Sequence, residues 1–148
     1  MRISQYMHSD LTAFLDAGSR DDVLKQLAHL AYEAGKIKDE IEFFEAILNR
    51  EKLVSTGIGM GVAIPHAKLH AFDHFFIAIG ILKKPLQWQS LDRSPVRIVF
   101  MIGGPDDKQT EYLQILSHLT QVIKDEEIRK KLLNFAESRD IIELFETI

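Results

Sequence analysis

The chain contains no cysteine, which rules out disulfides and thiolate metal sites together. It is therefore compatible with a reducing compartment. A long apolar run is also missing. The longest, FFIAIGIL from Phe75 to Leu82, is broken only by a glycine and falls far short of the roughly 20 residues a membrane span needs, so no membrane insertion is expected. The opening segment MRISQYMHSDL has one basic residue and no apolar stretch behind it, so it does not read as a signal peptide and a cytoplasmic protein is expected. There is no excess of positive charge either. Lys and Arg number 18 against 22 Asp and Glu, for a net charge of −4 with the signs intermixed, and no basic stripe offers itself to a nucleic-acid backbone. Repeats, linkers and low-complexity stretches are absent.

What is present fits one folded unit over residues 1–148. Hydrophobic residues make up 46% and charged residues 27%, far from the composition of a disordered chain. A chain of this length buries roughly 70% of the surface its unfolded form exposes, so a single substantial core is expected.

Hydrophobic spacing predicts the elements. Ser19 caps a helix carrying Val23, Leu24, Leu27, Leu30, Ala31 and Ala34, which ends at Gly35. A second helix from about Asp39 has Ile41, Phe44, Ile47 and Leu48 as its stripe, with Asn49 and Arg50 near its end. The pattern then changes to STGIGMGVAIPH, residues 55–66, read as a glycine loop feeding a short strand, Val62 to Ile64. Phe75–Leu82 and VRIVFMI, Val96–Ile102, read as strands covered on both faces. Gly103-Gly104-Pro105-Asp106 is turn chemistry. A wide stripe from Tyr112 to Ile123, including Leu113, Ile115, Leu116, Leu119 and Val122, predicts a packed helix. Two shorter helices follow, one marked by Ile128, Leu132 and Phe135, the other capped by Ser138 and carrying Ile141, Leu144 and Phe145. The implied class is α/β, a single-domain sandwich with a central mixed β-sheet flanked by helices.

The segment that carries chemistry ends in Pro65-His66. Proline fixes its own φ and pushes Ile64 towards extended backbone, so the imidazole is delivered at a strand end on a restrained chain. Upstream, Gly57, Gly59 and Gly61 lack Cβ atoms, which lets their amides approach an anion closely. The same spacing also serves an ordinary turn, and the glycines alone do not choose between the two.

STGIGMGVAIPHAK, preceded by Asn49-Arg50-Glu51, resembles the active-site motif of type 2 enzyme IIA proteins of the phosphotransferase system, a class with fructose, mannitol and nitrogen-regulatory members. The resemblance extends through KKPLQWQ, VRIVFMI and the helix after Gly104. It implies that His66 accepts a phosphoryl group from an HPr-like phosphocarrier and passes it to a IIB protein or, in a regulator, alters binding to target proteins. It also implies that Nε2 is the phosphorylated atom, that Arg50 stabilises the phosphate, and that no metal or other cofactor takes part. The phosphate-binding loop would comprise Thr56, Gly57, Gly59 and Gly61. Two positions depart from the pattern. Met60 stands where many relatives have Asn, and Tyr112 stands where some have a second histidine, so any part Tyr112 plays would be as a hydroxyl donor.

Plainer readings compete at several positions. His66, His70 and His74 recur every four residues, but on a helix the outer two would lie ~12 Å apart along the axis, too far to share one ion. His118 reads as a hydrogen-bonded structural histidine, and His8 and His29 are assigned nothing. Arg50 at a helix C-terminus could simply complement the helix dipole. Trp88, Phe75 and Phe76 read as core, whereas Ile58, Met60 and Ile64 could form a docking surface beside His66. Three functions are weighed: a nitrogen-type regulator, a sugar-transport IIA component, and a binding module that is never phosphorylated. Because the chain begins at Met1 and holds only the IIA region, the regulator is expected.

Overall fold

The computed structural model describes all residues, 1–148. Two short 3-10 turns, Ile3–Tyr6 and Ser9–Leu11, lead into strand β1, Thr12–Leu15. Helices α1, Arg20–Glu33, and α2, Glu40–Leu53, follow. Next come β2, Gly57–Gly59, β3, Val62–Ala63, β4, His66–Lys68, β5, Phe76–Leu86, and β6, Val96–Gly104. The chain closes with α3, Gln109–Ile123, α4, Glu126–Asn134, and α5, Ser138–Glu146.

All six strands form one mixed sheet in the order β1-β5-β6-β3-β2, with β4 also on β6. β5 and β6 pair antiparallel at its centre, as their unbroken apolar sequences imply, and β1 lies parallel to β5. β3 and β4 both run parallel to β6, at Val62↔Ile98 and His66↔Ile102. They are two halves of one strand, interrupted by Ile64-Pro65. Proline has no N–H for the ladder, but the Pro65 carbonyl still accepts from the Ile102 amide at 2.9 Å. Pro65 therefore breaks the strand without detaching it, and His66 resumes it.

Strand alternation sorts the core into two layers. Ile77, Ile79, Ile81, Ile98, Phe100 and Ile102 face the later helices through Ile115, Leu119, Leu132, Ile141 and Phe145. Ala78, Leu82, Val99 and Met101 face α1 and α2 through Leu24, Leu27, Phe43 and Ile47. Trp88, Phe75 and Phe76 are buried, as expected. The two α1 and α2 N-caps also match their sequence signals, with Ser19 accepting from the Asp22 amide at 3.1 Å and Asp39 from the Glu42 amide at 3.0 Å.

Several expectations are corrected. Ile41 points into solvent at 70% exposure, and the inner face of α2 is instead Phe43, Ile47 and, one turn on, Glu51. Leu113 is likewise outside the α3 stripe. Ser138 is the first residue of α5 rather than its cap, and its hydroxyl donates to the Thr12 carbonyl at 3.4 Å. The glycine segment is not an open loop. β2 and β3 form a tight antiparallel hairpin whose turn residues, Met60 and Gly61, have φ of 60° and 76°, the positive pair that type I′ hairpins use. β1 went unpredicted because its four residues, Thr-Ala-Phe-Leu, are too few to show a period.

Candidate active site

Three elements converge on His66. β4 presents it half-buried at its first position, with Ala67 turned to the opposite layer and Lys68 on the same side as His66. β4 pairs only with β6, so its outer edge stays open. α3 brings Tyr112, whose ring centroid lies 5.7 Å from that of His66, and the end of α2 brings Arg50 and Glu51.

The imidazole is held by its own backbone. Nδ1 lies 3.1 Å from the Ile64 carbonyl oxygen. A carbonyl can only accept, so the proton of the neutral ring sits on Nδ1 and Nε2 carries the lone pair. Burial draws the pKa of His66 below its ordinary 6.5. The Ile64 carbonyl opposes this, Arg50 and Lys68 reinforce it through their charge, and Glu51 opposes it weakly. The ring is therefore neutral and nucleophilic at pH 7.

Arg50 is half-buried, with Nη1 donating to the Val54 carbonyl at 3.0 Å. This bond fixes one edge of the guanidinium and satisfies an end-of-helix carbonyl. Its charge is felt at both His66 and Tyr112, which places the expected arginine, histidine and tyrosine in one electrostatic neighbourhood. Tyr112 is buried, and burial raises its hydroxyl pKa while Arg50 opposes the rise. It stays a neutral donor at physiological pH.

Lys68 and Glu51 had no assigned role in the sequence. The Lys68 ammonium stands 4.3 Å over the Tyr112 ring and donates to Gln109 Oε1 at 2.7 Å. Its signal was strand alternation, since a residue two beyond His66 shares its face. Glu51 is only 2% exposed. Its carboxylate accepts from the Thr56 amide at 2.6 Å and the Thr56 hydroxyl at 2.5 Å, tying the end of α2 to the start of the hairpin. A buried carboxylate so partnered is a structural clamp that also carries charge.

The glycine segment is placed differently from the histidine. The Thr56 amide is taken by Glu51 and the Gly57 amide by the Ser55 hydroxyl at 3.1 Å. A Cβ on Gly57 would come within 2.4 Å of Ser90 Oγ, so glycine is required there by close packing. Gly59 lies against the Asp92 carboxylate and Gly61 against the Pro95 carbonyl. Asp92 staples the turn, accepting from the Met60 amide at 3.0 Å and from Ser94. The Ser94 hydroxyl and the Met60 and Ser94 amides hold its pKa at about 2.

The remaining histidines lie elsewhere. His66 and His70 are on a strand and the turn after it, not on one helical face, and His70 is 94% exposed beside Asp106. His118 is exposed rather than structural. His29 pairs with Glu40 at 2.7 Å on the surface. Ile58 is half-buried and Met60 40% exposed, whereas Ile64 is buried and does not belong to a docking face.

Comparison with known proteins follows the same outline. The family model described as "Phosphoenolpyruvate-dependent sugar phosphotransferase system, EIIA 2" matches residues 5–148. The fructose-specific EIIABC component of the Bacillus subtilis phosphotransferase system is 41% identical over 128 residues, covering 86% of this chain but only 20% of that protein. A nitrogen regulatory protein of Bradyrhizobium diazoefficiens is 36% identical over 118 residues, covering 80% of this chain and 76% of that one. The crystal structure of the nitrogen regulatory protein IIA-Ntr from Neisseria meningitidis superposes with a TM-score of 0.90 at 25% identity, over 97% of this chain and 98% of that one. With the family model spanning all but the first four residues, this chain belongs to the EIIA 2 family of the phosphotransferase system and is a phosphoryl carrier.

Proposed function

We propose that His66 is the residue that carries the phosphoryl group, received on Nε2 from an HPr-like phosphocarrier. The observation that carries this reading is the Nδ1 contact to the Ile64 carbonyl, which leaves Nε2 as the free lone pair on a neutral ring. Nε2 attacks phosphorus in line as the donor's P–N bond breaks, and the phosphoryl group leaves by the reverse path to the next acceptor. The transition state is loose, so the protein contributes positioning and positive charge rather than covalent chemistry. Arg50 and Lys68 supply the charge, and Tyr112 walls the ring on its α3 side. Nδ1 keeps its proton throughout.

In the cell this carrier acts as a nitrogen-type regulator whose phosphorylation changes its affinity for target proteins. The 0.90 TM-score to IIA-Ntr, with nearly complete mutual coverage, supports that assignment. The second reading is a sugar-transport component that passes its phosphate to a IIB protein, and the 41% identity to the fructose-specific protein favours it.

The test is incubation with phosphoenolpyruvate, enzyme I and HPr, followed by intact-mass measurement. A gain of about 80 Da in the wild type and none in His66→Ala is expected. No gain in the wild type would sink the carrier role of His66. Addition of a fructose-type IIB then separates the two roles: rapid loss of the label to IIB identifies transport.

A further inference from the structure

Away from His66, a cleft of about 310 Å³ opens between the β2–β3 turn, the start of β6 and α4. Arg97, Arg129 and Lys130 line it against a single carboxylate, Glu126. Glu126 is already paired with Lys130 at 3.6 Å, whereas neither arginine forms an ion pair. Two half-buried arginines, neither in an ion pair, therefore share one concave site on a protein of net charge −4.

Both arginines are also held in place. Arg97 donates from Nε and Nη2 to the Leu82 carbonyl at 3.1 and 3.0 Å, which leaves the Nη1 edge unengaged. Arg129 Nη1 donates to the Ile123 carbonyl at 2.5 Å and contacts Met60 Sδ at 3.6 Å, leaving Nε and Nη2. Anchored this way, each fork loses little side-chain freedom on meeting an acid. The walls between them are apolar, formed by Pro85, Pro95, Ile98 and Leu133. The volume is at the lower end for small-molecule pockets, so the occupant must be small.

We infer that this cleft binds a small organic dianion, two acid oxygen groups or one phosphate on a short carbon skeleton, with Arg97 and Arg129 receiving the charge and the carbon chain lying on the prolines and Leu133. The site is distinct from His66. Ile98 lies four residues before Ile102, the partner of His66, which is ~13 Å along β6.

The test is titration of ¹⁵N-labelled wild-type protein with succinate, glycerol 3-phosphate and inorganic phosphate, following amide and arginine Nε–H signals. Saturable shifts confined to Gly61, Arg97, Arg129 and Leu133 with either organic probe support the site, and the tighter of the two names the acid group. Arg97→Gln should weaken that binding at least about tenfold, while Lys83→Gln on the exposed strand end leaves it unchanged. Because Arg129 caps a helix carbonyl, its loss could disturb the fold; Lys130→Gln, an exposed change, is the second probe and should weaken binding about threefold. Shifts spread over surface lysines, binding strongest for inorganic phosphate, or affinity untouched by Arg97→Gln would each overturn the inference.

Discussion

Nδ1 of His66 lies 3.1 Å from the Ile64 carbonyl oxygen, a contact within one tripeptide that chooses between the two ring nitrogens. Because the acceptor is backbone, no side-chain replacement elsewhere changes the choice. The prediction is phosphorylation at Nε2 alone, read from two-bond ¹H–¹⁵N couplings of the phosphorylated ring. A phosphate on Nδ1 would mean that the Ile64 contact breaks before transfer.

Burial, Arg50 and Lys68 together hold the His66 pKa below 6.5, against the pull of the Ile64 carbonyl and Glu51. The acid limb of the phosphorylation rate should therefore fall below pH 6.5, since only the neutral ring attacks. Arg50→Met and Lys68→Met should each move it upward by removing a positive neighbour. Folding follows the same sign. Between the folded and unfolded pKa the unfolded chain binds more protons, so stability rises with pH through that window and levels off above about 6.5. An NMR titration of the His66 ring in all three proteins measures the order directly; a lower pKa in Arg50→Met would contradict the assigned electrostatics.

Glu51 and Thr56 make a second testable pair. Glu51→Gln keeps the shape and both contacts, the Thr56 hydroxyl turning to accept from the new amide N–H, but it replaces two charge-assisted hydrogen bonds by neutral ones in a buried site. A loss of about 1–3 kcal/mol in unfolding free energy is expected, measured by urea denaturation. The same change removes a negative neighbour of His66, so its pKa should drop further. Loss of stability with no movement of the His66 titration would separate the clamp from the site.

Much of this arrangement was legible in the sequence, and what was not has physical reasons. α1 and α2 announced themselves through Ser19 and Asp39, whose side chains cap locally and need no tertiary context. β5 and β6 did so through apolar runs that only a doubly covered strand tolerates. Ile41 and Leu113 were misplaced because a stripe drawn from sequence is wider than the face that packs. Glu51 and Lys68 were missed because charged residues default to solvent; only the fold shows that one is buried on Thr56 and the other lies over Tyr112. The glycine run stands out in the sequence without choosing between an anion loop and a turn, and the Asp92 staple that fixes it as a hairpin turn comes from a segment more than 30 residues away.

The hairpin turn supplies the last prediction. Met60 has φ of 60°, a left-handed conformation that costs an ordinary L-residue about 1 kcal/mol or more. Its main compensation is the Asp92 carboxylate on its amide, which any residue at this position retains. The side chain adds only the Sδ contact to Arg129, a weak acceptor 40% exposed to solvent. Met60→Asn, which tolerates this region through local hydrogen bonding, should therefore stabilise the protein by up to about 1 kcal/mol, or a melting-temperature rise of roughly 3 °C for a chain of this size. Asp92→Ala should do the reverse, because the staple is lost while the strain stays. A calorimetric comparison of each variant with the wild type decides the matter: Met60→Asn melting at or below the wild-type temperature would show that the turn is unstrained, and an unchanged Asp92→Ala would show that the carboxylate does not hold it.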